Sequence, residues 1–178
     1  VIAAFDDAGW TEQERLWIPG DRRVGLGESL LLDHQNQVLL EADGSLIPPG
    51  AFLPAAERFH MAMRIDRWVL GRAVRQIQAM PVLAGLDTLC INLSGQSVGD
   101  RAFHRHAIDT LAEAGAAICQ RLCFEITETA AVTNMADAAV FIEQVRALGV
   151  RIALDDFGTG ASSFGYLKNL EVDLLKID

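Results

Sequence analysis

The stretch IALDDFGTGASSFGYLKNLEVDLLKID, Ile152 to Asp178, decides how this chain is read. It opens as an apolar run, Ile152-Ala153-Leu154, that meets two adjacent carboxylates, Asp155 and Asp156. Gly158, Thr159 and Gly160 then form a loop, and a short helix is expected near Ser163 to Leu167. A second apolar run, VDLLKID, closes on Lys176 and Asp178. Two strands that are apolar on both alternations and polar only at their ends fit a parallel sheet covered on both faces.

Upstream the same pattern repeats. DTLCINLS predicts a strand over Asp87 to Leu93, RLCFEIT a strand over Arg121 to Thr127, and RIALDD a strand from Arg151. Between them, apolar residues at helical spacing predict helices from Met61 to Met80, from Arg101 to Gly115 and from Met135 to Gly149, the first closed by Pro81 and the others by glycine. Strands alternating with helices build a parallel α/β sheet. No glycine-rich phosphate loop follows the first strand, which disfavours a dinucleotide-binding sheet and leaves a TIM-like (β/α)8 barrel, wholly or in part. Closer to the N-terminus, Thr11 with Glu14 has the form of a capping box, and Leu30 to Leu32 reads as a short strand. ADGSLIPPGAFLP reads as turn chemistry, with Pro48 and Pro49 barring a regular helix. Residues 1–25 are expected to be an irregular segment or linker, and residues 26–178 the barrel domain.

Bulk composition narrows the functional classes. The chain has 178 residues, 51% of them apolar, and a formal charge of −9. That is one globular domain without the basic footprint needed for duplex nucleic acid or an anionic membrane surface. No apolar run approaches the roughly 20 residues that span a bilayer, and VIAAFDDAGW lacks the basic start of a signal peptide. The expected location is the cytoplasm, which includes the cytoplasmic part of a membrane-anchored parent. Cys90, Cys119 and Cys123 stand in apolar surroundings and read as buried, reduced thiols. No Cys or His pair completes a zinc pattern with Cys119 and Cys123.

The strand ends carry the chemistry. Asn92, Glu125 with Glu128, Asp155 with Asp156, and Lys176 with Asp178 close four successive strands. In a barrel, the C-terminal strand ends converge on one mouth, where active sites of that architecture lie. Oxygen donors gathered there suit hard divalent cations, and carboxylates crowded in a low-dielectric mouth need a cation to stay ionised. Taken alone, Asp155 and Asp156 could equally cap the next helix; four strands ending alike favour the shared site. His104 and His106 flank Arg105 and read as a solvated helix face, because positions i and i+2 do not share one. Trp68 reads as core, and Asp66 and Arg67 as a local salt bridge.

The segment DDFGTGASSFGYLKNLEVDLLKID resembles the most diagnostic segment of the EAL domains, bacterial phosphodiesterases acting on cyclic di-GMP. PPGAFLPAAE, IDRWVL, INLS and FEITET match the same family in order, from about Glu28 to Asp178. Glu28-Ser29-Leu30 stands where the name-giving Glu-Ala-Leu would stand. The resemblance implies a barrel with an inverted first strand and a two-metal site of Mg²⁺ or Mn²⁺. It implies that Glu28, Asn92, Glu125 and Asp155 ligate the metals, with Asp156 at the second ion. Lys176 would orient or help deprotonate the attacking water, and Glu128 would hold the Gly158-Thr159-Gly160 loop, where dimerisation couples to activity. The implied activity is hydrolysis of cyclic di-GMP to linear pGpG, with a catalytically inactive receptor for the same nucleotide as the alternative. The implied partners are cyclic di-GMP, a second copy in a homodimer, and attached sensory or GGDEF-type domains in the parent. Three departures stand out. Leu32 occupies the place of a substrate-binding arginine, LWIPGDRR keeps only Ile18-Pro19 of the preceding strand, and the family's next glutamate ligand falls beyond Asp178. The barrel is therefore expected to be incomplete at its C-terminus.

Overall fold

The computed structural model describes residues 49–79, 88–158 and 170–177. Four strands, β1 (Leu89–Leu93), β2 (Leu122–Thr127), β3 (Arg151–Phe157) and β4 (Leu174–Ile177), lie side by side in chain order and pair in parallel throughout. Seven helical segments accompany them among the described residues: α1 (Pro49–Arg58), α2 (Ala62–Ala79), α3 (Gly95–Val98), α4 (Arg101–Ala114), α5 (Ala116–Cys119), α6 (Glu128–Thr133) and α7 (Met135–Ala147). The parallel α/β sheet expected from the strand pattern is present. The inverted first strand, the Thr11–Glu14 cap, the Leu30–Leu32 strand, the helix near Ser163 and the chain before residue 49 lie outside the described residues.

Register sorts the side chains onto two faces. Leu89, Ile91 and Leu93, then Leu122, Phe124 and Ile126, then Ile152 and Leu154 point toward the helices and are almost fully buried there. Phe141 of α7 anchors this layer, stacked 6.1 Å from Phe124 and edge-on 6.0 Å from Phe103 of α4. Each such aromatic pair adds about 0.5–1.5 kcal/mol beyond area burial. The opposite face carries Cys90, Asn92, Cys123, Glu125, Ala153, Asp155, Leu174 and Lys176, following the pairs Cys90↔Cys123, Asn92↔Glu125, Glu125↔Ala153 and Ala153↔Leu174. Burial on both faces explains why these strands are apolar on both alternations.

Local signals set the helix ends. Asp100 caps α4 by accepting from the Phe103 amide, and Gly115 ends it at φ +84°, a conformation a side chain resists. From Pro49 on, the turn expected across ADGSLIPPGAFLP is overturned: Pro49 opens α1 instead. A proline at the first helical position lacks an N–H that would have had no helical partner there, and its fixed φ suits the helix. Pro54 is accommodated inside the same helix.

Candidate active site

The sheet places Asn92 and Glu125 directly opposite each other on β1 and β2. Asp155 sits one pleat further along, opposite Thr127, and Lys176 lies two residues beyond Leu174 on β4. These four predicted residues therefore share one face and one edge of the sheet. Lys176 Nζ donates to Asp155 Oδ2 at 2.7 Å and to Glu125 Oε2 at 3.2 Å. The Glu125 side chain is only 4% exposed, and Asp155 and Lys176 are 22% and 18% exposed. Burial alone pulls the Lys176 ammonium down, yet the hydrogen bond it donates to Asp155 and the Glu125 charge outweigh it and hold the group above its usual value. Lys176 is thus a fixed positive charge and a donor at neutral pH.

The two adjacent aspartates have a structural reason. Pairing between β3 and β4 slips between Leu154 and Phe157, so Asp155 and Asp156 together occupy a bulge. Asp156 adopts φ +55°, and its amide donates to its neighbour's Asp155 Oδ1 at 3.1 Å. The bulge is where β3 stops running straight and turns into the loop at Gly158, itself at φ +96°. Glu128, buried in the first turn of α6, accepts from the Gly158 amide through Oε2 at 2.9 Å. Thr127 caps that helix by accepting from the Ala130 amide. Glu28, Thr159 and Gly160 lie outside the described residues.

The donor set accommodates a hard cation in chemical kind. Asn92, Glu125 and Asp155 supply oxygens, and Glu125 Oε1 is buried with no hydrogen-bond partner, an orphaned acceptor on the site-facing carboxylate. Among the described residues, no three His, Cys, Asp or Glu side chains are grouped to hold a metal ion, and Lys176 pairs with both carboxylates, its one positive charge set against their two negative charges.

One supporting residue escaped the sequence reading. Asp66 of α2 is buried, and its Oδ2 accepts from the Ser94 amide at 2.9 Å, the Ser94 hydroxyl at 2.7 Å and the Ser97 hydroxyl at 2.6 Å. Burial raises its pKa against the lowering effect of those serines. It clamps the turn that follows β1, two residues after Asn92, while Gln96 Nε2 reaches back to the Glu57 carbonyl at 2.5 Å. The expected local pair of Asp66 with Arg67 is therefore wrong, since Arg67 approaches Asp100 at 4.0 Å. The signal was available: Asp66 interrupts the apolar stripe Ala62, Val69, Leu70, Ala73, and a charge on a core face needs a partner. His104 also departs from the solvated face expected of it. Its ring is buried, stacked 4.4 Å from Phe141, with Nε2 at 2.9 Å from the Val98 carbonyl, while His106 is exposed. Trp68 is partly buried and packed on the core.

All three cysteines are buried and none is in a disulfide. Cys119 Sγ donates to the Leu111 carbonyl at 3.3 Å within the main core. Among the described residues, no helix is long and apolar enough to cross a membrane.

Comparison with known proteins adds a family. The EAL domain family model matches residues 37–178. The cyclic di-GMP phosphodiesterase PdeF of Escherichia coli (strain K12) is 37% identical over 149 residues, which are 82% of this chain and 20% of PdeF. Among solved structures, the PaMucR phosphodiesterase in complex with c-di-GMP superposes with a TM-score of 0.66 at 37% identity, covering 75% of this chain and 57% of that one. The FimX EAL domain from Pseudomonas aeruginosa bound to c-di-GMP gives 0.66 at 29% identity, covering 79% and 55%. The chain spans about a fifth of PdeF and just over half of those solved chains.

Proposed function

The chain belongs to the EAL domain family, and from that premise we propose that it is the catalytic domain of a phosphodiesterase that opens cyclic di-GMP to linear pGpG. The observation that carries this reading is the convergence of Glu125, Asp155 and Lys176 at the carboxyl edge of a parallel sheet, with Glu125 Oε1 left as a buried acceptor. Glu28, Asn92, Glu125 and Asp155 would hold Mg²⁺ or Mn²⁺, with Asp156 at the second ion. When bound, such ions would offset the phosphate charge and make a water nucleophilic near neutral pH. In the reaction, the water oxygen bonds to one phosphorus and the bond from phosphorus to the 3′ oxygen breaks. The 3′ oxygen takes up a proton, leaving a 5′ phosphate on the linear product. Lys176, fixed as an ammonium, would orient that water through its N–H groups. Glu128 would set the Gly158-Thr159-Gly160 loop through the Gly158 amide.

A barrel with an inverted first strand, occupying residues 26–178 after a linker over 1–25, is part of the same proposal. So are a homodimer, a cytoplasmic location and a parent with sensory or GGDEF-type domains. A second reading, a catalytically inactive receptor, draws on Lys176 occupying both carboxylates as an ion-pair partner, on Leu32 at the arginine position and on the FimX EAL domain solved with c-di-GMP. One experiment separates them. In the full-length protein, hydrolysis and nucleotide binding are measured for wild type and Glu125→Ala. The enzyme reading expects Glu125→Ala to lose about three orders of magnitude in rate. Binding by the wild type without cleavage in Mg²⁺ or Mn²⁺ supports the receptor, and near-wild-type cleavage by Glu125→Ala overturns the site assignment.

A further inference from the structure

The face that carries Asn92 and Glu125 continues one pleat deeper into a layer of a different kind. There Cys90 of β1 and Cys123 of β2 are direct register partners, and Ala153 and Leu174 complete a small apolar cluster around them. Cys90 is 5% exposed and Cys123 fully buried. Both side chains belong to this one buried layer, and Cys123 Sγ donates to the Phe124 carbonyl at 3.9 Å. We propose that Cys90 and Cys123 form a reversible thiol–disulfide site, a redox-sensitive cross-link between β1 and β2 directly beneath the candidate active-site residues. The proposal stands on this geometry and does not depend on the phosphodiesterase reading.

Neighbouring strands lie about 4.7–4.9 Å apart, which falls inside the Cα separations of about 4.4–6.8 Å that a disulfide spans, at the short end. A bond formed there needs little backbone movement and carries strain, and strained disulfides are the readily reduced ones. That combination describes a transient bond rather than a permanent staple, the kind a reducing compartment tolerates. Cys119 is the internal contrast. It sits on α5 in the main core with its thiol directed to the Leu111 carbonyl, and it has no cysteine in register.

The chemistry requires an oxidant, and a hydroperoxide supplies it. One cysteine sulfur takes an oxygen from hydrogen peroxide, giving a sulfenic acid and one water. The second sulfur then attacks the first, the S–O bond breaks, the S–S bond forms and a second water leaves. Two electrons pass from the thiols to the peroxide, and a small dithiol returns them by exchange.

The test uses the full-length protein, native, treated with hydrogen peroxide, then quenched, denatured, alkylated and read by peptide mass spectrometry. The expected result is a cross-linked pair of peptides joining Cys90 to Cys123, lighter by two hydrogens. The alkylatable fraction at both positions falls about tenfold and returns with dithiothreitol, while Cys119 stays alkylatable. Cys90→Ser and Cys123→Ser should each remove the cross-link; because the main reading is on the wild type, a poorly folding variant does not blunt it. The proposal is overturned if both thiols stay alkylatable at a peroxide dose that oxidises them in the unfolded chain. It is equally overturned if they convert separately to sulfinic or sulfonic acids, or if the bond that forms includes Cys119.

Discussion

Replacing Lys176 by methionine keeps the length of the side chain and removes a charge that links Glu125 to Asp155. Breaking a fully buried ion pair costs about 3–5 kcal/mol, because the partner charge is left without compensation. Here Lys176 and Asp155 retain 18% and 22% of their side-chain exposure, so water recovers part of that loss. The expected cost of Lys176→Met at neutral pH in chelator is therefore about 2 kcal/mol. With a urea m-value of about 2 kcal/mol/M, the midpoint should fall by roughly 1 M. The sign of the pH dependence follows from the raised pKa of Lys176. Its stabilisation is fully present below the ordinary value of about 10.5 and is lost as pH rises through the higher folded value. The gap between wild type and variant should thus be constant from neutral pH upward and narrow only above about 10.5. If the vacated space is a cation site, Mg²⁺ at ten times its dissociation constant should return about 1.4 kcal/mol to the variant. An unchanged urea midpoint in chelator, or a deficit that Mg²⁺ does not touch, would refute the reasoning.

Two further substitutions probe the supports of the site. Asp66→Ala removes the buried oxygen that accepts from three donors, and at about 3 kcal/mol the melting temperature should drop by roughly 6–12 °C; a change under about 2 °C would show the clamp to be inert. Glu128→Ala leaves the Gly158 amide without its carboxylate acceptor, so hydrogen exchange at that amide should accelerate about 10- to 100-fold, and unaltered exchange would remove Glu128 from the control of the loop.

The sequence made the parallel sheet readable because covering both faces imposes the same signature on every strand, as in LCINL, LCFEI and RIALD. The helices over Ala62–Ala79, Arg101–Ala114 and Met135–Ala147 were legible because each is long enough to show a repeating apolar stripe and ends at proline or glycine. Shorter segments carry too few turns for a period: Gly95–Val98, Ala116–Cys119 and Glu128–Thr133 went unread. Pro49 was taken as a breaker when its place at a helix start makes it a former. At the site, polar strand ends located Asn92, Glu125, Asp155 and Lys176 on one edge, since residue parity follows from the pleat. Parity could not foresee the bulge at Asp155 and Asp156, which adds a residue and breaks the alternation it relies on. Nor could it foresee Asp66, whose partners Ser94 and Ser97 lie far along the chain and meet it only after folding.

The central claim is that the oxygens at the carboxyl edge of this sheet serve a metal-dependent phosphodiesterase, and turnover of cyclic di-GMP by the full-length protein tests it most directly. The account predicts that linear pGpG accumulates in Mg²⁺ or Mn²⁺, that excess chelator stops it, and that restoring the metal restores it. Hydrolysis continuing undiminished in excess chelator, or bound nucleotide recovered intact in the presence of either metal, would contradict it.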